Sequence, residues 1–256
     1  DLHASLAPSE MCIRDSFSSF GSGSSSPAWQ AHLTAAAPLF ARLDSLSGIS
    51  PSNSGWHTSF DHYYDNLSAR LCHAKPLPCS INNTADCVST AQAEQVFRLG
   101  QYEYSFIYRD APQSLKASTS GYGIWIAELA QHFRDAAAAG SQKGPGPAGP
   151  PGPAGPAGSP IYRHNVAHDG SISRLLSILQ LEKMVWPGMG AEVVFELYSK
   201  KDSGCKFLRV LWGGQVFKSS HPAFGSMDMI PLESVLGYFD GLVGVGAQKV
   251  PGLCVA

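Results

Sequence analysis

Charge is scarce in this sequence. Of its 256 residues 15% are Asp, Glu, Lys or Arg, with 18 basic against 20 acidic, which leaves a formal net charge of −2 and a pI near 6.5. Recognition of nucleic acid or of an anionic membrane needs a concentration of Lys and Arg, so neither is expected as a partner. Long apolar runs are missing too. No stretch approaches the roughly 18 consecutive apolar residues of a membrane span, so no span is expected. Two signatures of zinc are also absent, since neither a Cys-x2-Cys pair nor a His-Glu-x-x-His string occurs. His57 and Asp61 stand one helical turn apart, with His62 and Asp65 beside them, but nothing else in the spacing supports a metal.

What is present suits a globular enzyme. Hydrophobic residues make up 44% of the chain, enough for one large core or for a core with a smaller subdomain. Five of the six cysteines, Cys72, Cys79, Cys87, Cys205 and Cys254, lie outside the leader that holds Cys12. Cys72, Cys79 and Cys87 crowd around Pro76 and Pro78, a pattern that fits a disulfide-stapled loop better than a zinc site. The odd count implies a partner outside this sequence. Asn66-Leu67-Ser68 and Asn82-Asn83-Thr84 are acceptor sequons. Cysteines and sequons together place the protein in the secretory pathway, a lysosome-like compartment or the extracellular space.

Along the chain four regions differ in composition. Residues 1–28 are expected to be a non-native or disordered leader, because Met11-Cys12-Ile13-Arg14-Asp15-Ser16 looks like translated adapter sequence and 17–28 is rich in Ser and Gly. It lacks the parts of a signal peptide. Residues 29–143 read as helical. Phe60, Tyr63, Tyr64, Leu67 and Leu71 keep helical spacing, Ser89 and Gln92 form a capping-box pattern before Ala93, Val96, Phe97 and Leu99, and Tyr122, Trp125, Ile126, Leu129 and Phe133 form another stripe. These stripes read as core. Residues 144–160 contain Gly at every third position from Gly146, a collagen-like spacing; as a stiff insert it is simpler than a trimerising stalk.

From residue 161 to 256 the period changes. A strand is expected to end at His168, where period-two alternation puts His164 and His168 on one face, and Ile172, Leu175, Leu176 and Leu179 then predict an amphipathic helix from about Gly170. Val193, Phe195 and Leu197 alternate with Glu192, Val194 and Glu196, and Lys206 to Trp212 reads as a second strand with Gly213-Gly214 as its turn. Residues 230–242 predict a final helix with Pro231 in its first turn. The sheet looks incomplete.

The chemistry concentrates in Tyr162-Arg163-His164-Asn165-Val166-Ala167-His168-Asp169-Gly170-Ser171-Ile172. An imidazole and a carboxylate are presented where a helix begins, beside backbone N–H groups that lack intrahelical partners, which is a ready site for phosphate. This run resembles the His-Asp motif of the histidine acid phosphatases, the second branch of the histidine phosphatase superfamily. Similarity continues through Trp56-His57-Thr58-Ser59-Phe60-Asp61-His62-Tyr63-Tyr64-Asp65-Asn66-Leu67, Cys72-His73-Ala74-Lys75-Pro76-Leu77-Pro78-Cys79, Leu99-Gly100-Gln101-Tyr102-Glu103-Tyr104, Trp186-Pro187-Gly188-Met189-Gly190-Ala191-Glu192-Val193-Val194-Phe195-Glu196-Leu197 and Arg209-Val210-Leu211-Trp212-Gly213-Gly214-Gln215.

The resemblance implies an α/β fold: an incomplete phosphoglycerate-mutase-like α/β core over 161–256 and a mostly α-helical cap domain over 29–143 that shapes substrate choice. It implies hydrolysis of a small-molecule phosphomonoester through a phosphohistidine, with no cofactor. Asp169 would be the general acid that protonates the leaving alcohol, a role that typically contributes 10²–10⁴-fold. His168 would hold phosphoryl oxygens. The family's nucleophile lies in Arg-His-Gly-x-Arg-x-Pro, which does not occur here. Arg163-His164-Asn165 is the nearest string, and it has Asn in place of Gly. These residues are therefore expected to carry the acid half of a site without its nucleophile, and to be inactive alone. Three readings stand against this one: a binding module that keeps the fold and lost catalysis, a collagen-like structural protein, and an Asp169 that only caps its helix. Substrate identity and oligomeric state stay open.

Overall fold

The computed structural model describes residues 26–141 and 162–253. The collagen-like run of 144–160, Cys12, Cys254 and all but the last three residues of the expected leader lie outside the described residues. The chain is mixed α/β, and every strand pair among the described residues is antiparallel. It divides into two compact units: 26–114 with 183–186, and 115–182 with 187–253. The expected helical region of 29–143 meets this division after Ser114, so its last long helix belongs with the C-terminal residues.

The first unit begins with α1 (Pro27–Ser47). Ser26 caps it by accepting from the Trp29 N–H at 3.2 Å, Pro27 sits where no N–H is needed, and Gly48 ends it at φ 69°. After a short 3₁₀ turn at Ser54–Trp56 comes α2 (Asp61–Cys72). A hairpin follows, β1 (Cys79–Ser80) and β2 (Asn83–Cys87), closed by a disulfide between Cys79 and Cys87. Cys72 is left as an exposed thiol. The expected capping box forms in full, with Ser89 Oγ on the Gln92 N–H and Gln92 Oε1 on the Ser89 N–H, and it starts α3 (Thr90–Ser105).

Leu39, Phe40 and Leu43 of α1, Phe60, Tyr63 and Leu67 around α2, and Val96 of α3 form the core of this unit. Leu71, expected on the same stripe, is 48% exposed at the fraying end of α2. Residues 183–186 complete the unit. The Trp186 ring stacks between Tyr64 at 3.9 Å and Tyr104 at 3.8 Å, and Gln101 joins the cluster by accepting from the Trp186 N–H at 2.7 Å while donating to Tyr64 Oη at 2.9 Å.

The second unit holds α4 (Ser114–Ser141), α5 (Asp169–Ile178), β3 (Val193–Ser199), β4 (Lys206–Trp212), β5 (Gln215–Val216), β6 (Ile230–Pro231), α6 (Leu232–Val243) and α7 (Val250–Leu253). Strand β4 is central, with β3 along one edge and β5 and β6 sharing the other. Gly213 and Gly214 both take positive φ, 54° and 74°, as a two-residue hairpin of this hand requires. The final helix starts two residues later than 230, because Ile230 and Pro231 are paired with Leu208 and Phe207 of β4.

One expected strand is corrected. Residues 162–168 form no strand among the described residues, and each is exposed, including Tyr162 at 75% and Val166 at 88%. Alternating side chains mark extended backbone, but a strand exists only where a neighbour supplies the ladder of hydrogen bonds.

Candidate active site

Helix α5 sets the geometry of His168 and Asp169. Leu175, Leu176, Ile178 and Leu179 are buried and Ile172 is half-buried, so the apolar stripe anchors the helix along its length. Its C-terminal carbonyls are held by named donors. Tyr238 Oη donates to Ile178 O at 2.6 Å, Ser219 Oγ to Leu179 O at 2.7 Å, and the Ser220 N–H to Gln180 O at 2.8 Å. Burial pushes the Tyr238 phenol up to about 12, which keeps it a neutral donor.

At the other end the helix starts at Asp169, one residue before the expected position, with His168 as its N-cap at φ −96° and ψ 163°. The His168 side chain makes no capping bond and is exposed, while Asp169 is half-buried. The expected ring of open N–H donors is not what the structure holds. The Gly170 N–H donates to Asp169 Oδ1 at 2.7 Å, and the Ser171 and Ile172 N–H groups both reach His168 O at 3.0 Å. The carboxylate thus occupies the place in which an incoming anion would meet the first turn. Asp169 does serve the helix start, through Gly170, although the capping position itself belongs to His168. Arg174, one turn further along, donates to Gly170 O at 3.3 Å, and burial raises the Tyr122 phenol to about 12 against the opposing charge of Arg174.

His164, four positions before His168, is exposed beside the Tyr162 ring at 6.0 Å. Glu196 accepts from Tyr198 Oη at 2.8 Å and faces Arg209 at 3.5 Å. His57 and Asp61 do not converge. His57 Nε2 donates to Asp44 Oδ2 at 2.8 Å, whereas Asp61 lies 3.8 Å from the exposed His62 ring.

Sequence reasoning missed two buried carboxylates in the first unit. Asp44 accepts from Tyr63 Oη at 2.5 Å as well as from His57, so both its oxygens are filled. Burial and the Asp44 charge push the Tyr63 phenol far up. Glu103 accepts from His32 Nε2 at 2.7 Å and from the Phe60 N–H at 2.8 Å. A largely apolar cleft of about 440 Å³ runs past Leu33, Phe40, Asp44, Ile49, Pro51 and His57. No lining residue belongs to the 162–172 segment, and both oxygens of the one lining carboxylate, Asp44, accept bonds, from His57 and from Tyr63. Among the described residues no group of three His, Cys, Asp or Glu is placed to hold a metal, and no helix is long and apolar enough to cross a membrane.

No protein-family model matches the chain, and no curated protein matches it.

Proposed function

We propose that this chain is the acid-bearing part of a secreted histidine-type acid phosphatase, with Asp169 as general acid and His168 in the phosphate pocket. The finer fold assignment, a partial phosphoglycerate-mutase-like core, belongs to the same proposal. One observation carries the reading. An exposed imidazole and a half-buried carboxylate stand together at the N-terminus of a helix whose other end is fixed by Tyr238, Ser219 and Ser220. A rigid helix start is a precise mount for a proton donor.

Chemistry follows from that placement. A phosphomonoester arriving at the helix start competes with Asp169 Oδ1 for the Gly170 N–H. Asp169 then gives its proton to the departing alkoxide oxygen and later takes one from the water that releases phosphate. The reading requires a nucleophilic His from an Arg-His-Gly-x-Arg-x-Pro motif, which this sequence does not contain. The Cys79–Cys87 disulfide supports an oxidising compartment.

Titrating inorganic phosphate into the isotope-labelled chain at acid pH tests the site directly. Amide shifts at Gly170 and Ser171 that saturate are expected, and so is their loss in His168→Ala. Shifts without turnover once the nucleophile motif is supplied would point to the binding module. No shift at either amide would remove the proposal.

A further inference from the structure

The two sequons differ in geometry, and the difference selects one. Asn66 lies inside α2, where residues two apart point to different sides, so Ser68 cannot share a face with it. The Asn66 amide oxygen also accepts from Arg70 Nε at 3.2 Å, and Leu67 between them is buried. Asn82 lies in the two-residue loop of the β1–β2 hairpin, between Ser80 and Asn83, which are paired across it. The loop leads straight into β2, so Asn82 and Thr84 stand on exposed turn and strand backbone, where no helical geometry separates the amide from the hydroxyl. Residues 81–85 are all exposed.

Fixed points hold the base of this hairpin. The Cys79–Cys87 disulfide closes it, the Val88 N–H donates to Pro78 O at 2.9 Å, and Arg42 of α1 grips Asp86 through both terminal nitrogens. The tip therefore projects from a rigid stem. At that tip Ile81 is 92% exposed, the most exposed large apolar side chain among the described residues. A bare isoleucine at the end of a fixed hairpin has no protein surface to rest on. The disulfide also forms in the oxidising compartment where N-glycans are added.

We infer that Asn82 carries an N-linked glycan, with Asn66 left unmodified, and that the glycan covers the Ile81 tip. In the transfer, Asn82 Nδ2 forms a bond to the anomeric carbon of an oligosaccharide held on a lipid diphosphate. The carbon–oxygen bond to the diphosphate breaks, the diphosphate leaves with the bonding pair, and one amide proton goes to base. The inference does not depend on the phosphatase reading.

The experiment expresses the full chain behind a secretory leader in insect cells and maps both sites by amidase release in heavy-oxygen water, in secreted and cell-retained material alike. Expected is the heavy label on Asn82 and none on Asn66. Asn82→Gln and Thr84→Ala should each abolish the gel shift given by deglycosylation, whereas Asn66→Gln should leave it whole. Both substitutions that remove the sequon sit at exposed positions, so their folding is not at risk. An unlabelled Asn82 in either fraction, or equal labelling of Asn66, would overturn the inference.

Discussion

Glu103 sits almost wholly out of water with one oxygen on the Phe60 N–H and the other on His32 Nε2. Desolvation raises its carboxyl above the ordinary glutamate value, an effect that Asp61 reinforces and that the bonds from His32 and Phe60 oppose. Leucine at this position fills similar space but leaves two buried donors without acceptors, so Glu103→Leu should cost about 3 kcal/mol, read from the urea midpoint of the first unit. Glutamine still accepts from Phe60 and can donate to a His32 tautomer, so Glu103→Gln should cost far less. The two variants also separate on pH. A carboxyl raised in the folded state binds its proton more tightly there than when unfolded, so its stabilising contribution is present below the ordinary glutamate value near 4.5 and is lost as pH rises through the raised one. Wild type should therefore lose stability over that interval relative to Glu103→Gln. Parallel curves for the two proteins would show that Glu103 does not titrate there.

At the scale of elements, close packing is bought with small residues. Gly100 lets α3 meet the aromatic stack: a Cβ there would stand 2.5 Å from Tyr64 Cδ2 and 3.1 Å from the Trp186 ring. The Tyr64 ring, the nearer of the two, cannot retreat without losing its hydrogen bond from Gln101, so Gly100→Ala should cost about 1–3 kcal/mol and diminish the near-ultraviolet circular dichroism of the stack. Helix α5 makes the opposite case. Ser173 and Ser177 are buried on its core face, and neither hydroxyl has a hydrogen-bond partner among the described residues. Alanine removes the unmet polar group and favours the helix, so Ser173→Ala should raise stability by about 1 kcal/mol in denaturant titration. Elements of this kind were the most legible in the sequence. The α5 stripe, the Ser89–Gln92 capping box, the strands β3 and β4 and the Gly213-Gly214 turn are local patterns, and each formed, although β3 is evenly half-buried where alternation was expected. The Gln101 clamp joins residues 85 positions apart, and Asp44 meets Tyr63 and His57 only once α1 and α2 are packed, so no spacing announced either. The 162–168 segment misled for the same reason, since side-chain alternation says nothing about whether a neighbouring strand exists.

For the whole molecule, the division after Ser114 falls inside the region expected to be helical, and periodicity cannot reveal which core a helix joins. The His168-Asp169 pair stood out in the sequence, while the engagement of the Gly170 N–H by Asp169 itself did not. That engagement makes the mechanism testable at the scale of a complete enzyme. Taken alone, the chain should hydrolyse p-nitrophenyl phosphate no faster than a blank, because the nucleophile motif is absent from it. In an enzyme that supplies the motif upstream, Asp169→Asn keeps an acceptor for the Gly170 N–H and so keeps the helix start, but it has no proton to give. p-Nitrophenolate departs readily without one, whereas an alkoxide does not. Phosphoenzyme formation from an alkyl ester should therefore slow by on the order of 10²-fold or more, with a much smaller loss for the aryl ester. Rapid-quench measurement of both esters distinguishes the roles: equal losses would mean that Asp169 acts through the helix start or phosphate binding, and the proton donor would have to be sought elsewhere.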